Sequence, residues 1–120
     1  MISGTPYEQG EIVLIPFPFT SLKTTKKRPV LIISNTNYNK KTDDFVVCGI
    51  TSNLKDAEFS VIIDKKDLAK GFIPVKSRIK ADKVFTLEQS LVINRISKVK
   101  KDILIRVSKE LMKIISTNHH

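Results

Sequence analysis

The sequence predicts a mainly β domain closed by one C-terminal α-helix. Three observations carry that prediction: short runs rich in Ile, Val and Leu between polar turns, a shift to three-and-four spacing of apolar residues near Lys100, and no linker, repeat or low-complexity tract to divide the 120 residues. A chain of this length has room for one domain with a real core and not for two comfortable ones, so residues 1–120 are read as a single domain.

The first two strands are read from Gly10 to Thr20 and from Arg28 to Ser34, separated by the polar run Ser21 to Lys27. Arg28 stands at the first position of the second run. A charge at a strand mouth beside a cationic loop suits phosphate, because a guanidinium stays protonated and forks onto two oxygens. Asn35 to Asp44 reads as a turn-rich loop, Phe45 to Thr51 as a buried third strand, and Glu58 to Ile63 as a fourth. Asp64 to Gly71 reads as a short helical turn ending at its glycine, and Ser77 to Asp82 and Lys83 to Thr86 as two short strands. Many short strands argue for a small barrel or a strongly bent sheet. From Lys100 to Ile115 the apolar residues fall at Ile103, Val107, Leu111, Ile114 and Ile115, with Lys101, Lys109 and Lys113 elsewhere on the wheel. This amphipathic helix is expected to close one side of the core.

Composition narrows the function. Lys and Arg total 21 against 12 Asp and Glu, a net charge of +9, which points to a polyanion or an acidic protein as partner, a solvated basic surface being the plainer alternative. Cys48 is the single cysteine, so a disulfide framework and a thiolate zinc site are excluded and a reducing cytoplasm is expected. The opening residues lack a signal-peptide pattern, and no run approaches the ~18 apolar residues of a membrane span. The only histidines, His119 and His120, are the last two residues, which removes Ser-His-Asp catalysis and histidine-based zinc hydrolysis from consideration. The four glycines are far apart, so there is no glycine-rich phosphate loop and no nucleotide cofactor is expected; neither is a metal.

What remains is a set of polar residues at strand ends. Arg28 opens one strand, Thr51, Ser52 and Asn53 close another, and Ser77 opens a third behind Lys76. Read as structure, Thr51 to Asn53 is a turn whose side chains bond to nearby backbone. Read as a site, Thr51 offers a hydroxyl and Arg28 a permanent cation beside a bound phosphate.

These segments together resemble a known family. Gly10 to Thr20, Lys27-Arg28-Pro29-Val30-Leu31-Ile32-Ile33-Ser34, Ile50-Thr51-Ser52-Asn53 and Ser77 to Leu87 resemble, in order, motifs of the MazF/PemK-like toxins of type II toxin-antitoxin systems, and with the final helix the likeness runs from about Gly10 to Ile115. The resemblance implies an SH3-like small barrel of the MazF/CcdB-like toxin fold, a homodimer, and an endoribonuclease that cuts single-stranded RNA at short sequences without a metal. It places catalysis on Arg28 and Thr51. It places RNA binding on Phe17, Thr20, Ser21, Lys23, Lys26, Lys27, Ser52, Asn53, Lys76, Ser77 and Arg78, with Phe19 as a further stacking candidate and Lys80 adding to the phosphate attraction. Some relatives carry a carboxylate in the loop before the arginine; here that loop reads Ser21-Leu22-Lys23-Thr24-Thr25-Lys26-Lys27, which leaves the general base unassigned. A guanidinium does not give up its proton near neutral pH, so Arg28 is expected to stabilise charge rather than act as base. The family also implies an acidic antitoxin that lies across the RNA groove. Two other readings keep the same fold: a non-catalytic SH3-like module that binds nucleic acid or protein, and a gyrase-poisoning toxin.

Overall fold

A computed structural model describes residues 5–18, 25–55 and 57–118, the side chains of Phe17, Pro18 and Thr25 excepted. Seven strands form one curled antiparallel sheet. They are β1 (Glu11–Pro18), β2 (Thr25–Ile32), β3 (Asp44–Thr51), β4 (Ser60–Ile63), β5 (Leu68–Gly71), β6 (Ser77–Glu88) and β7 (Asn94–Val99), in the order β4-β6-β3-β2-β1-β7-β5. Helix α1 spans Thr36–Lys41 and helix α2 spans Lys101–Ile115.

Both faces of the curled sheet bury apolar residues. On one face Ile12, Leu31, Cys48, Ile50 and Ile79 pack beneath Ile103 and Val107 of α2, the helix expected to close the core. On the other, Val13, Ile15, Val30, Ile32, Phe45 and Val47 pack with Tyr7, Phe85, Leu87 and Val92. Strand β6 serves both clusters, although Ile79, Ala81, Phe85 and Leu87 are all odd-numbered and would share one face of a regular strand. The β3–β6 register jumps from Gly49↔Lys80 to Cys48↔Val84, so a bulge holds three extra residues, and an odd insertion flips the strand's alternation. The break expected between Asp82 and Lys83 falls inside this bulge; the two short strands are one strand of 12 residues.

Other expectations need correction. The loop from Asn35 to Asp44 contains α1, started by Asn35, whose side chain accepts from the Tyr38 amide at 2.8 Å. Helix α1 buries only Asn39, so no apolar stripe announced it. The turn from Asp64 to Gly71 is a three-residue 3-10 helix, Lys65–Asp67, followed by β5. Strand β7 was not anticipated: of its six residues only Ser97 and Val99 are buried, and a buried serine conceals a strand's alternation.

Proline shapes the end of the sheet where the charged residues gather. Pro16 and Pro18 lie beyond Leu14, the last β1 residue paired with β7, so they sit where β1 has β2 alone as neighbour. Pro29, with no amide hydrogen to donate, stands where β2–β3 pairing stops at Val30↔Gly49.

Candidate functional site

Arg28 is not the opening residue of its strand. Thr25, Lys26 and Lys27 continue β2 outward by pairing with Pro18, Phe17 and Pro16, which makes Arg28 the fourth residue of β2, opposite Ile15. Its place two residues beyond the last β2–β3 pair is what matters chemically. The register Val30↔Gly49, carried two residues on, sets Arg28 opposite Thr51 across a gap with no ladder pairing. The β3–β6 register sets Thr51 opposite Arg78. One cross-strand row therefore reads Arg78, Thr51, Arg28, Ile15, and directly opposed residues share a face.

The turn after β3 fixes the threonine. Thr51 Oγ1 accepts from the Asn53 amide at 3.1 Å, and Asn53 Oδ1 accepts from the Lys55 amide at 3.0 Å. Buried Arg78 donates from Nε to the Asn53 carbonyl at 3.2 Å, pinning the turn to β6. The turn and the site are thus the same residues. With its oxygen accepting from Asn53, Thr51 still has a hydroxyl proton to donate.

Two concavities meet at this row. The smaller, of ≈ 360 Å³, is lined by Arg28, Gly49, Thr51, Lys80, Lys83 and Phe85 among others. Both lysines flank Gly49 across β6: Lys80 is its register partner, and Lys83, in the bulge, is the nearest neighbour a Cβ on Gly49 would meet, at 3.7 Å. The larger, of ≈ 570 Å³, is bordered by Lys27, Arg28, Thr51, Ser52 and Ser77, with Phe72, Asn94 and Arg95 opposite. Among the described residues no carboxylate lines either one. Three cations around a hydroxyl favour a phosphodiester. Among the described residues there is no group of three His, Cys, Asp or Glu that could hold a metal ion, and no helix long and apolar enough to cross a membrane.

The expected site residues divide accordingly. Arg28, Thr51, Lys27, Ser52 and Ser77 border the concavities, although the Ser77 hydroxyl is already given to the Val75 carbonyl at 3.0 Å. Arg78 and Asn53 hold the turn, while Lys26 and Lys76 are exposed nearby and line neither cavity. Thr20, Ser21, Lys23 and Phe19 lie outside the described residues, as do His119, His120 and the side chain of Phe17. No local pattern marks Lys83, Asn94 or Phe72: the β6 bulge brings in Lys83, the β1–β7 pairing Asn94, and the β5–β7 pairing at Gly71 Phe72. Arg95 is committed elsewhere, 4.1 Å above the Tyr7 ring and 3.6 Å from Glu11.

A curled seven-stranded sheet, capped by a C-terminal helix and notched by cations at one end, defines a small mainly β toxin-like fold with a cationic cleft. Residues 8–115 match the family of PemK-like, MazF-like toxins of type II toxin-antitoxin systems, and the chain belongs to that family. Solved structures share the fold. An endoribonuclease in complex with its cognate antitoxin from a mycobacterial species superposes with a TM-score of 0.74 at 18% identity, covering 95% of this chain and 99% of that one. MazE-MazF (form III) from Deinococcus radiodurans gives 0.76 at 22% identity over 95% and 100%. The Mycobacterium tuberculosis toxin MazF-mt6 gives 0.70 at 15% identity over 91% and 99%. No curated protein matches the sequence.

Proposed function

We propose that this toxin is an endoribonuclease that cuts single-stranded RNA by attack of a 2′-hydroxyl on the adjacent phosphorus, with Arg28 and Thr51 as its catalytic pair. The observation that carries the reading is the interrupted β2–β3 ladder, which sets those two side chains opposite one another beside Lys80 and Lys83. Related structures described as endoribonucleases, and as MazF with MazE, support it.

The chemistry is balanced by the substrate's own atoms. The 2′-oxygen bonds to phosphorus as its proton leaves, the P–O5′ bond breaks, and the 5′-oxygen takes up a proton, giving a 2′,3′-cyclic phosphate and a 5′-hydroxyl. Arg28 neutralises charge that builds on the non-bridging oxygens, a guanidinium being matched to two of them at once. Thr51 donates its hydroxyl proton to the same phosphate or orients the 2′-hydroxyl in line. The two lysines raise the local concentration of backbone phosphate without reading sequence.

The same reading includes a homodimer acting in the cytoplasm and an acidic antitoxin that competes for the cationic notch, as +9 net charge favours. The test is cleavage of long mixed-sequence RNA by purified protein in excess EDTA, with both product ends mapped. Cyclic-phosphate ends at a repeated short sequence are expected. Intact RNA from folded protein would leave the binding-module or gyrase-poisoning reading in its place.

A further inference from the structure

We propose that Phe72 is the platform on which one unpaired base of the RNA stacks, in the larger cavity beside the phosphate held by Arg28 and Thr51; the inference rests on the nuclease reading above. Phe72 is 67% exposed, more than any other large apolar side chain among the described residues. Its exposure is built in rather than a consequence of a slack loop. Gly71 before it is paired with Ser97 at φ +76°, and Ile73 after it is buried in the core, so the chain is anchored on both sides and the phenyl ring is turned outward at the cavity's lip.

The cavity offers the three surfaces a nucleotide needs. Lys27 and Arg28 border it with positive charge, Leu14 and Ile96 give it an apolar wall, and Asn94, opposite Leu14 in the β1–β7 register, carries an amide with both donors and an acceptor for a base edge. Its volume of ≈ 570 Å³ lies within the roughly 300–1,000 Å³ of small-ligand sites. An apolar wall alone would accept many partners. Cations at one end and an exposed aromatic at the other select an anion with a flat, unstacked face, which is a nucleotide of single-stranded RNA.

The chain contains no tryptophan, so Phe72→Trp gives a fluorescence signal from this position alone. Once wild-type protein has revealed its cleavage sequence, 2′-O-methyl oligonucleotides of that sequence, which cannot be cut, are compared with versions abasic at one position at a time. We expect Phe72→Ala to weaken the intact oligonucleotide about tenfold, the loss expected when one base loses its stacking partner, and to leave unchanged the binding of the oligonucleotide abasic at a single position. Phe72→Trp emission should be quenched by the intact strand and not by that abasic strand. Equal weakening of all oligonucleotides, or none, overturns the proposal while wild-type cleavage leaves the nuclease reading standing. An effect of Phe72→Ala confined to antitoxin affinity or to oligomer mass makes the lip a protein contact and also overturns it. Wild-type protein that neither binds nor cuts RNA overturns both readings.

Discussion

Gly71→Ala tests the junction between the fold and the site. A Cβ at Gly71 would lie 2.7 Å from both the Cα and the Cβ of Ser97 and would press still harder on the Ile96 carbonyl oxygen; these are mostly backbone atoms that cannot swing aside. The position also has φ +76°, a left-handed conformation that costs an L-residue about 1–2 kcal/mol relative to glycine. Adding an overpacking cost of about 1–3 kcal/mol gives roughly 2–5 kcal/mol, a large share of the ~5–15 kcal/mol that holds a small domain together. The loss has a ceiling, because β5 is a four-residue edge strand paired only with β7, and peeling it away becomes the cheaper response once strain exceeds the worth of that pairing. Urea unfolding should therefore show a loss of about 2–4 kcal/mol, with faster amide exchange in β5 and β7 and slow exchange retained in β3. Gly49→Ala is the control: its φ is not in the left-handed region and its new Cβ would meet only the Lys83 Cβ at 3.7 Å, ordinary contact. That variant should change stability by less than about 1 kcal/mol. Equal effects of the two substitutions would show that Gly71's left-handed backbone and its contact with Ser97 do not govern stability here.

Further outcomes follow from single sites. Gln89, buried, donates from Nε2 to the carbonyls of Asn39, Thr42 and Asp44 at 2.8, 3.2 and 2.7 Å, so Gln89→Glu, which sets a carboxylate against three carbonyls, should lower stability by about 3 kcal/mol in urea unfolding, more than Gln89→Met. Burial pushes the Cys48 thiol up to about 11; the fold thus prefers the protonated thiol, and stability present below pH ~9 should fall by about 2–3 kcal/mol as pH rises to 11, a fall that Cys48→Ala lacks. Lys80→Ala and Lys83→Ala should each weaken RNA binding uniformly across sequences and reduce the salt slope by about one, measured by titration at several salt concentrations.

The sequence was most legible where one side of an element is apolar and the other is not. The spacing of Ile103 and Val107 located α2 to within a residue, and the runs around Val30 and Val47 located β2 and β3. It was least legible where polar side chains are the buried ones: Ser97 in β7, Asn39 in α1 and Gln89 in the 3-10 turn before β7 are held by backbone partners or by pairing that no periodicity displays. The candidate site divides in the same way. Arg28 and Thr51 announced themselves as polar residues at the ends of apolar runs, although Arg28's strand begins at Thr25, three residues before Arg28 itself. Lys83 and Phe72 could not be found from their neighbours, because the first depends on a three-residue bulge and the second on a glycine's left-handed backbone.

The central claim is that Arg28 and Thr51 act on one phosphate. Single-turnover cleavage by wild type, Arg28→Ala, Thr51→Ala and the double variant measures this directly, since residues that serve one transition state are not additive. Arg28→Ala should cost about 10³-fold and Thr51→Ala about 10²-fold, on the scale of a lost charge-stabilising donor, with the double variant little worse than Arg28→Ala. A double variant that multiplies the two losses would separate the residues into independent roles, and a near wild-type rate from either single variant would remove that residue from the chemistry.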